Sequence, residues 1–442
     1  MKPISLILAV ALAYLFTGCG GRNLVQGQMQ VDETQNLTVY SLSFELSEPR
    51  EITVSLTNVD SGELQYIQGT AAQALQQVLL PALKPGTTYS VELLSEHEVV
   101  SETYTFRTRP LNSALFANEK KRVDPNAFEG YILTQRKGTD DGYLYMLDAE
   151  GDIVWYQYTP GIPKLSQITE SKQILALLGN PKHDNSAGDR IVGLELEGNV
   201  TLDIDLKKLN LVAHHEVLER EGDLYTLVYD TIPNEVNGTL ERAVSSAVVR
   251  LNTAGEILWK WSTFNVVLPT GIPESEMSGD WGHANALAFD TDGNLLISYR
   301  DWNQIWKIDV ATGSRMWILG EGGDFKIEGL PFDAQHAIIK DPQDNYLLFD
   351  NGRNKRRSRI VSYVLQKDLA REAWRIDLPE DLFSVKMGNA ALLPNGNILA
   401  CISGSESVVV LDASGNLLYQ VTTGLPSPYR ATYVPSFYTK SN

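Results

Sequence analysis

The chain has 442 residues, long enough for two domains or for one large repeat architecture beside a small one. Hydrophobic residues make up 43% and charged residues 21%, a balance that argues against wholesale disorder. Aspartate and glutamate number 55 against 37 lysines and arginines, a formal charge of -18, which argues against a nucleic-acid binder needing a basic face. Cys19 and Cys401 are the two cysteines, so a disulfide framework is not expected and stability must come from packing.

Met1-Lys2 supplies a short positive region, Ile4 to Phe16 an apolar run, and Thr17-Gly18-Cys19 a small-residue close. The run is short for a membrane span and has the form of an export signal over residues 1–19. Leu15 to Cys19 resembles the lipobox of bacterial lipoproteins, with Phe16 where that motif usually has leucine. The resemblance implies lipidation of Cys19 and a place on the periplasmic face of a bacterial membrane, with Gly20 leaning towards the outer membrane. A plain cleaved signal is the alternative.

Residues 20–110 are expected to form a small β-sandwich domain. Short runs alternate apolar and polar residues at Ser41–Leu46, Ile52–Leu56, Tyr89–Leu94 and Tyr104–Arg107. The run from Leu83 to Leu93, with its Pro85-Gly86 turn, resembles the tyrosine-bearing turn of fibronectin-type III sandwiches. His97 lies in a charged hairpin and reads as exposed. Residues 111–128 are expected to be a linker, and Lys120-Lys121-Arg122 in it a solvated stretch.

Residues 129–442 carry a repeat. Six turns lead into short apolar or aromatic strands at Gly151–Trp155, Gly198–Leu202, Gly255–Trp259, Gly313–Trp317, Ala370–Trp374 and Gly415–Tyr419. Before most of them stands a strand closed by aspartate or asparagine, such as Tyr143–Asp148, Ile305–Asp309 and Val408–Asp412. A four-strand unit repeated six times predicts an all-β fold, a six-bladed β-propeller after the sandwich. No amphipathic helical stretch separates the strands, which argues against a parallel α/β fold. The tail Tyr429–Tyr438 is expected to add a strand to the first blade and close the ring.

His215, His283 and His336 each precede the first buried strand of the third, fourth and fifth units, so all three are expected at one mouth of the central channel. A lone histidine near a strand is more often structural than catalytic; three in register, with Arg300 ending the strand after His283, favour a site. His214 is the alternative to His215, because adjacent strand residues point to opposite faces. Three chemistries fit the cluster: zinc held by imidazoles, a histidine nucleophile with neighbours that stabilise an anion, or anion binding without catalysis. Arg300 weighs against the metal.

The segments DWGHANALAFD and ISYR, with FDAQHAI and LFDNGR after HHEVL, resemble the bacterial arylsulfate sulfotransferases over nearly the whole mature chain. The resemblance implies ping-pong transfer of a sulfuryl group from a phenolic sulfate ester to an acceptor phenol, with no nucleotide donor and no cofactor. It implies that His336 is the nucleophile, passing through a sulfohistidine. His283 and Arg300 would hold the sulfuryl oxygens, and His215 would do the same or donate a proton to the leaving group. Trp281, Trp302 and Tyr299 border the expected site. The run Arg353–Arg359 reads either as steering for anions or as a solvated loop. Rival readings are a membrane-anchored scaffold or ligand receptor and a zinc hydrolase. The oligomeric state stays open, a homodimer included.

Overall fold

The computed structural model describes residues 23–440 apart from 113, 114, 117, 170, 184, 185, 277 and 278. Cys19 and the export segment lie outside the described residues. Among the described residues the fold is all-β, with eight sheets joined by turns and short 3₁₀ segments.

Two sheets come first. Val25–Glu33, Tyr40–Arg50 and Gln73–Leu80 form one; Leu64–Gln68, Thr53–Asn58, Thr88–Ser95 and Tyr104–Arg107 belong to the other. They share a single apolar cluster that includes Leu42, Phe44, Val54, Leu56 and Val91. The Tyr89 hydroxyl accepts from the Lys84 N–H at 3.0 Å, which pins the Pro85-Gly86 turn.

Six sheets follow in chain order, here I to VI, antiparallel except that Lys326–Glu328 pairs parallel with Leu369–Asp377 in sheet V. Their inner strands are Thr432–Val434, Ile162–Ile168, Ala213–Arg220 (flanked by the two-residue Ala187–Gly188), Ala284–Phe289, His336–Lys340 and Asn389–Leu392. The sequence repeat marks the outer strands well: Ile153–Thr159, Val200–Asp205, Ile257–Ser262, Arg315–Gly320, Leu369–Asp377 and Leu417–Thr422 each lie at or near the outer edge. The recurrent aspartate or asparagine also has a physical reason. Asp412 Oδ1 accepts from the N–H groups of Ser414 and Asn416, and Asp341 Oδ1 from those of Gln343 and Asn345, so the side chain builds the turn.

Each sheet shares an apolar cluster with the next, and the order is cyclic. Sheets I and II meet at Leu133 and Ile174, II and III at Leu177 and Val217, and III and IV at Leu227 and Ala284. Sheets IV and V meet at Ala286 and Ile338, V and VI at Leu347 and Ala390, and VI and I at Leu399 and Ile132. Each fully buried aliphatic side chain in these seams contributes roughly 1.5–3 kcal/mol.

Strands from both ends of the large region complete two sheets. Thr432–Val434 pairs with Tyr131–Lys137 as the inner edge of sheet I, as expected for the tail. Glu119–Val123 pairs with Leu417–Thr422 on the outer edge of sheet VI. That strand falls within residues 111–128, so the expected linker is in part a strand, and Lys120 to Arg122 sit in a ladder. Its exposed charges, three of them basic, suit a solvated edge strand.

Candidate active site

The inner strands of sheets III, IV and V each begin irregularly. Register slips between His214 and Val217, between Ala284 and Ala286, and between His336 and Ile338. His215 and His283 have φ of 60° and 49°, and Ala337, next to His336, has 52°. Left-handed backbone at non-glycine residues costs roughly 1–3 kcal/mol each and persists where neighbours over-determine it. Here the bulges turn the imidazoles out of the pleat toward one another.

The rings meet. His215 lies 5.0 Å from His283 and 6.0 Å from His336, centroid to centroid. His214 instead stacks on Tyr229 at 4.4 Å, and its Nδ1 is 2.8 Å from His215 Nδ1. So His215 enters the cluster and His214 backs it. The bulge explains why alternation could not choose between them: at His215 and Glu216 the two-residue period is broken.

Each ring has a fixed partner. His283 Nδ1 donates to Asp280 Oδ1 at 2.7 Å. Burial pushes the Asp280 carboxyl up, but His283, His214 and Arg300 outweigh it and hold it below its ordinary range. His336 Nδ1 donates to the Gly388 carbonyl at 2.7 Å, and its Nε2 faces the Tyr429 hydroxyl at 3.3 Å. A carbonyl oxygen only accepts, so Nδ1 carries the proton and Nε2 keeps its lone pair. Gly388 suits this post because its φ is 91° and a Cβ there would lie 2.6 Å from the Cys401 carbonyl. Asn351 secures the same turn by donating to the carbonyls of Ser384 and Met387.

Burial holds His214 down at about 4 and takes His215 and His336 well below the ordinary histidine range. For His336 the next cause is Arg430, followed by smaller effects that include Arg300. Both buried imidazoles of the cluster are therefore neutral at pH 7.

Arg300 stands just after the strand Leu295–Tyr299, its N–H bonded to the His283 carbonyl at 3.0 Å. Its guanidinium forks onto Asp301 at 2.7 and 3.1 Å. It lines a depression of about 520 Å³ with Trp281, Gly282, Trp302 and Arg353. His283, 18% exposed at its side chain, is the most accessible of the three. A depression of about 610 Å³ between Trp259 and Arg315 lies on outer strands, away from the histidines. Tyr299 does not line the site. It is fully buried, stacked on Trp302 and bonded to Thr263.

Sequence reasoning missed Tyr429, Arg430 and Glu216. Arg430 is buried and ion-paired with Glu216, and its Nη2 donates to the Asn285 carbonyl at 3.2 Å. Tyr429 packs 5.5 Å from the His336 ring. A signal existed: His283-Ala284, His336-Ala337, Asn389-Ala390 and Arg430-Ala431 each place a polar residue before alanine at an inner-strand entry. Of the basic run, Arg359 is structural, held by Asp350 and Glu372.

A neutral nucleophilic imidazole beside buried and half-buried guanidinium groups suits transfer of an anionic group. The family model for arylsulfotransferases (ASST) matches residues 117–409, more than half of the chain, and the protein belongs to that family of sulfuryl-transferring enzymes. No curated protein matches the sequence. Among solved structures, a protein of unknown function from Bacteroides caccae is similar at 14% identity, with 69% of this chain and 99% of that chain covered and a TM-score of 0.42. Virginiamycin B lyase from Staphylococcus aureus is similar at 13% identity, covering 69% and 88%, with a TM-score of 0.38. The periplasmic gluconolactonase of Pseudomonas aeruginosa is similar at 12% identity, covering 87% and 99%, with a TM-score of 0.39. At TM-scores this low the likenesses carry no functional weight.

Proposed function

We propose that the protein moves a sulfuryl group from an aryl sulfate to a phenol by a ping-pong route through His336. The observation that carries this reading is the His336–Gly388 hydrogen bond, which leaves Nε2 unprotonated and facing the cluster. In the first half-reaction Nε2 attacks sulfur, the N–S bond forms, and the S–O bond to the aryl group breaks. The phenolate departs and takes a proton from solvent, since His215, held neutral by burial, has no imidazolium proton to give. In the second, the acceptor phenol gives its proton to solvent, its oxygen attacks sulfur and the N–S bond breaks, returning the neutral imidazole. Negative charge on the peripheral oxygens is met by His283, Arg300 and the field of Arg430. The two guanidinium groups also weigh against a zinc site. No cofactor enters the scheme.

We also read the architecture as a six-bladed propeller preceded by a two-sheet sandwich; the cyclic order of the apolar seams supports it. On this reading the site sits where the inner strands begin. The chain is read further as a lipoprotein anchored through Cys19 at the periplasmic face. Loss of membrane association in a Cys19→Ala chain tests the anchor.

The test of the reaction is peptide mass spectrometry after brief exposure to a chromogenic aryl sulfate. A sulfuryl adduct on the peptide bearing His336 is expected. Phenol release with no adduct, unaffected by loss of His336, would overturn the proposal.

A further inference from the structure

The depression of about 520 Å³ that Arg300 lines also takes in Gly282, the neighbour of His283 in the chain, and its size suits a bound organic group. Trp281 and Trp302, both partly exposed, form its aromatic corner, with ring centroids 5.1 Å apart and planes at 85°. The corner is held from behind. The Trp281 N–H donates to the Val244 carbonyl at 2.7 Å, and the Trp281 carbonyl accepts from Ser245 Oγ at 2.7 Å. Its ring packs against Ala243 and Phe264. Gly282 has φ of 85°, and a Cβ there would lie 2.8 Å from the Trp302 ring, so glycine lets that ring close on the backbone.

The polar lining limits what the corner can hold. Glu276, Asp301 and Asp333 stand against Arg300 and Arg353, three carboxylates to two guanidinium groups. An acidic substituent would meet more negative than positive charge there. A purely apolar one would strip water from charged groups and return no hydrogen bonds. Hydroxyl groups donate to carboxylates, accept from guanidinium groups and exchange hydrogen bonds with the Asn354 carboxamide, which lines the same depression. A sugar ring carries such hydroxyls at its edge and a face of C–H groups that can lie on an indole. We propose that this depression is a sugar subsite, and that the phenolic substrate is a glycoside whose sugar rests against Trp281.

The inference rests on the sulfuryl-transfer reading, which sets the sulfuryl oxygens at Arg300 and so brings the substrate to the edge of the depression. Arg300 then takes the anion, and the corner beside it takes the sugar. Trp281 is on this account a specificity-determining residue.

Calorimetry at pH 7 with 4-hydroxyphenyl glucoside and 4-methoxyphenol tests this without turnover, because both are 4-alkoxyphenols and only one carries the sugar. Wild-type protein should bind the glucoside at least about tenfold more tightly, the scale of about one net hydrogen bond. Trp281→Ala should lower that ratio. Because Trp281 also packs against Phe264, a second variant, Asn354→Trp, fills the depression from an exposed position and should bring the ratio near one. Equal binding of the two phenols by wild-type protein, or a preference that survives in Asn354→Trp, overturns the subsite. So does tighter binding of 4-hydroxybenzoate than of the glucoside, which would make the depression an acid site. A glucoside preference with no sulfuryl transfer to either phenol would sink the transferase reading and leave the subsite standing. Transfer to both phenols with equal kcat/KM and equal binding would do the reverse.

Discussion

His336 and Gly388 are joined by a hydrogen bond of 2.7 Å that decides which imidazole nitrogen is free. The carbonyl accepts from the Nδ1 N–H, so Nε2 is the nitrogen left with a lone pair. Asn351 and the left-handed Gly388 hold that carbonyl in place. The consequences are measurable.

His336→Ala should lower aryl sulfate turnover by over about three orders of magnitude, because it removes the proposed covalent nucleophile. Release of a chromogenic phenol measures it, and the mass-spectrometric adduct should vanish together with the rate.

Arg300→Ala should cost about 2.7–4 kcal/mol of transition-state stabilisation, read from kcat/KM, if its guanidinium meets the sulfuryl oxygens. The fork onto Asp301 supplies a control. Asp301→Asn releases the guanidinium from its partner and should leave far more activity than Arg300→Ala does.

Asp280→Asn should lower kcat by about 10–100-fold with little change in KM, since the carboxylate orients His283 and does not reach the reacting atoms. Steady-state kinetics separates the two constants.

The pH profile should be flat where an ordinary histidine would titrate. With His336 held well below 6.5, its neutral fraction barely changes between pH 7 and 5.5. An unshifted histidine would lose about tenfold in rate over that range. Stability should move in the other sense. Above pH 6.5 the imidazoles are neutral in both states. Below it the unfolded chain binds protons that buried His214, His215 and His336 cannot, so the free energy of unfolding falls by about 1.4 kcal/mol per histidine per pH unit. Burial holds Asp148 up at about 6, which acts oppositely below that pH. The decline in urea midpoints should therefore set in near pH 6.5 and go on steepening to roughly pH 5.5, with Asp148 offsetting about one of the three protons.

Arg430→Met should destabilise the fold by about 3–5 kcal/mol, because it leaves Glu216 buried without its cation. Adding Glu216→Gln should recover much of the loss, as urea unfolding of the single and double variants will show.

Much of this molecule was legible as text. The six outer strands announce themselves through Asx turns and aromatic residues, and those signals are local: the aspartate that ends one strand bonds the N–H groups two and four residues on. His283 and His336 stood out because each precedes a turn and a buried strand in the same order. Glu119–Val123 was not legible as a strand, since its pairing partner lies at the far end of the chain. Arg430 hid for a similar reason, because Glu216 is 214 residues away.

The sequence by itself determined the all-β repeat, the histidine at each of three strand entries, and the closing of sheet I by the tail, because periodicity and turn chemistry act over a few residues. Only the tertiary structure decided that His215 and not His214 joins the cluster, that Nδ1 of His336 carries the proton, and that Tyr429 and Arg430 share its walls. Those outcomes depend on bulges and cross-sheet contacts, and no short-range pattern encodes a distance between strands hundreds of residues apart.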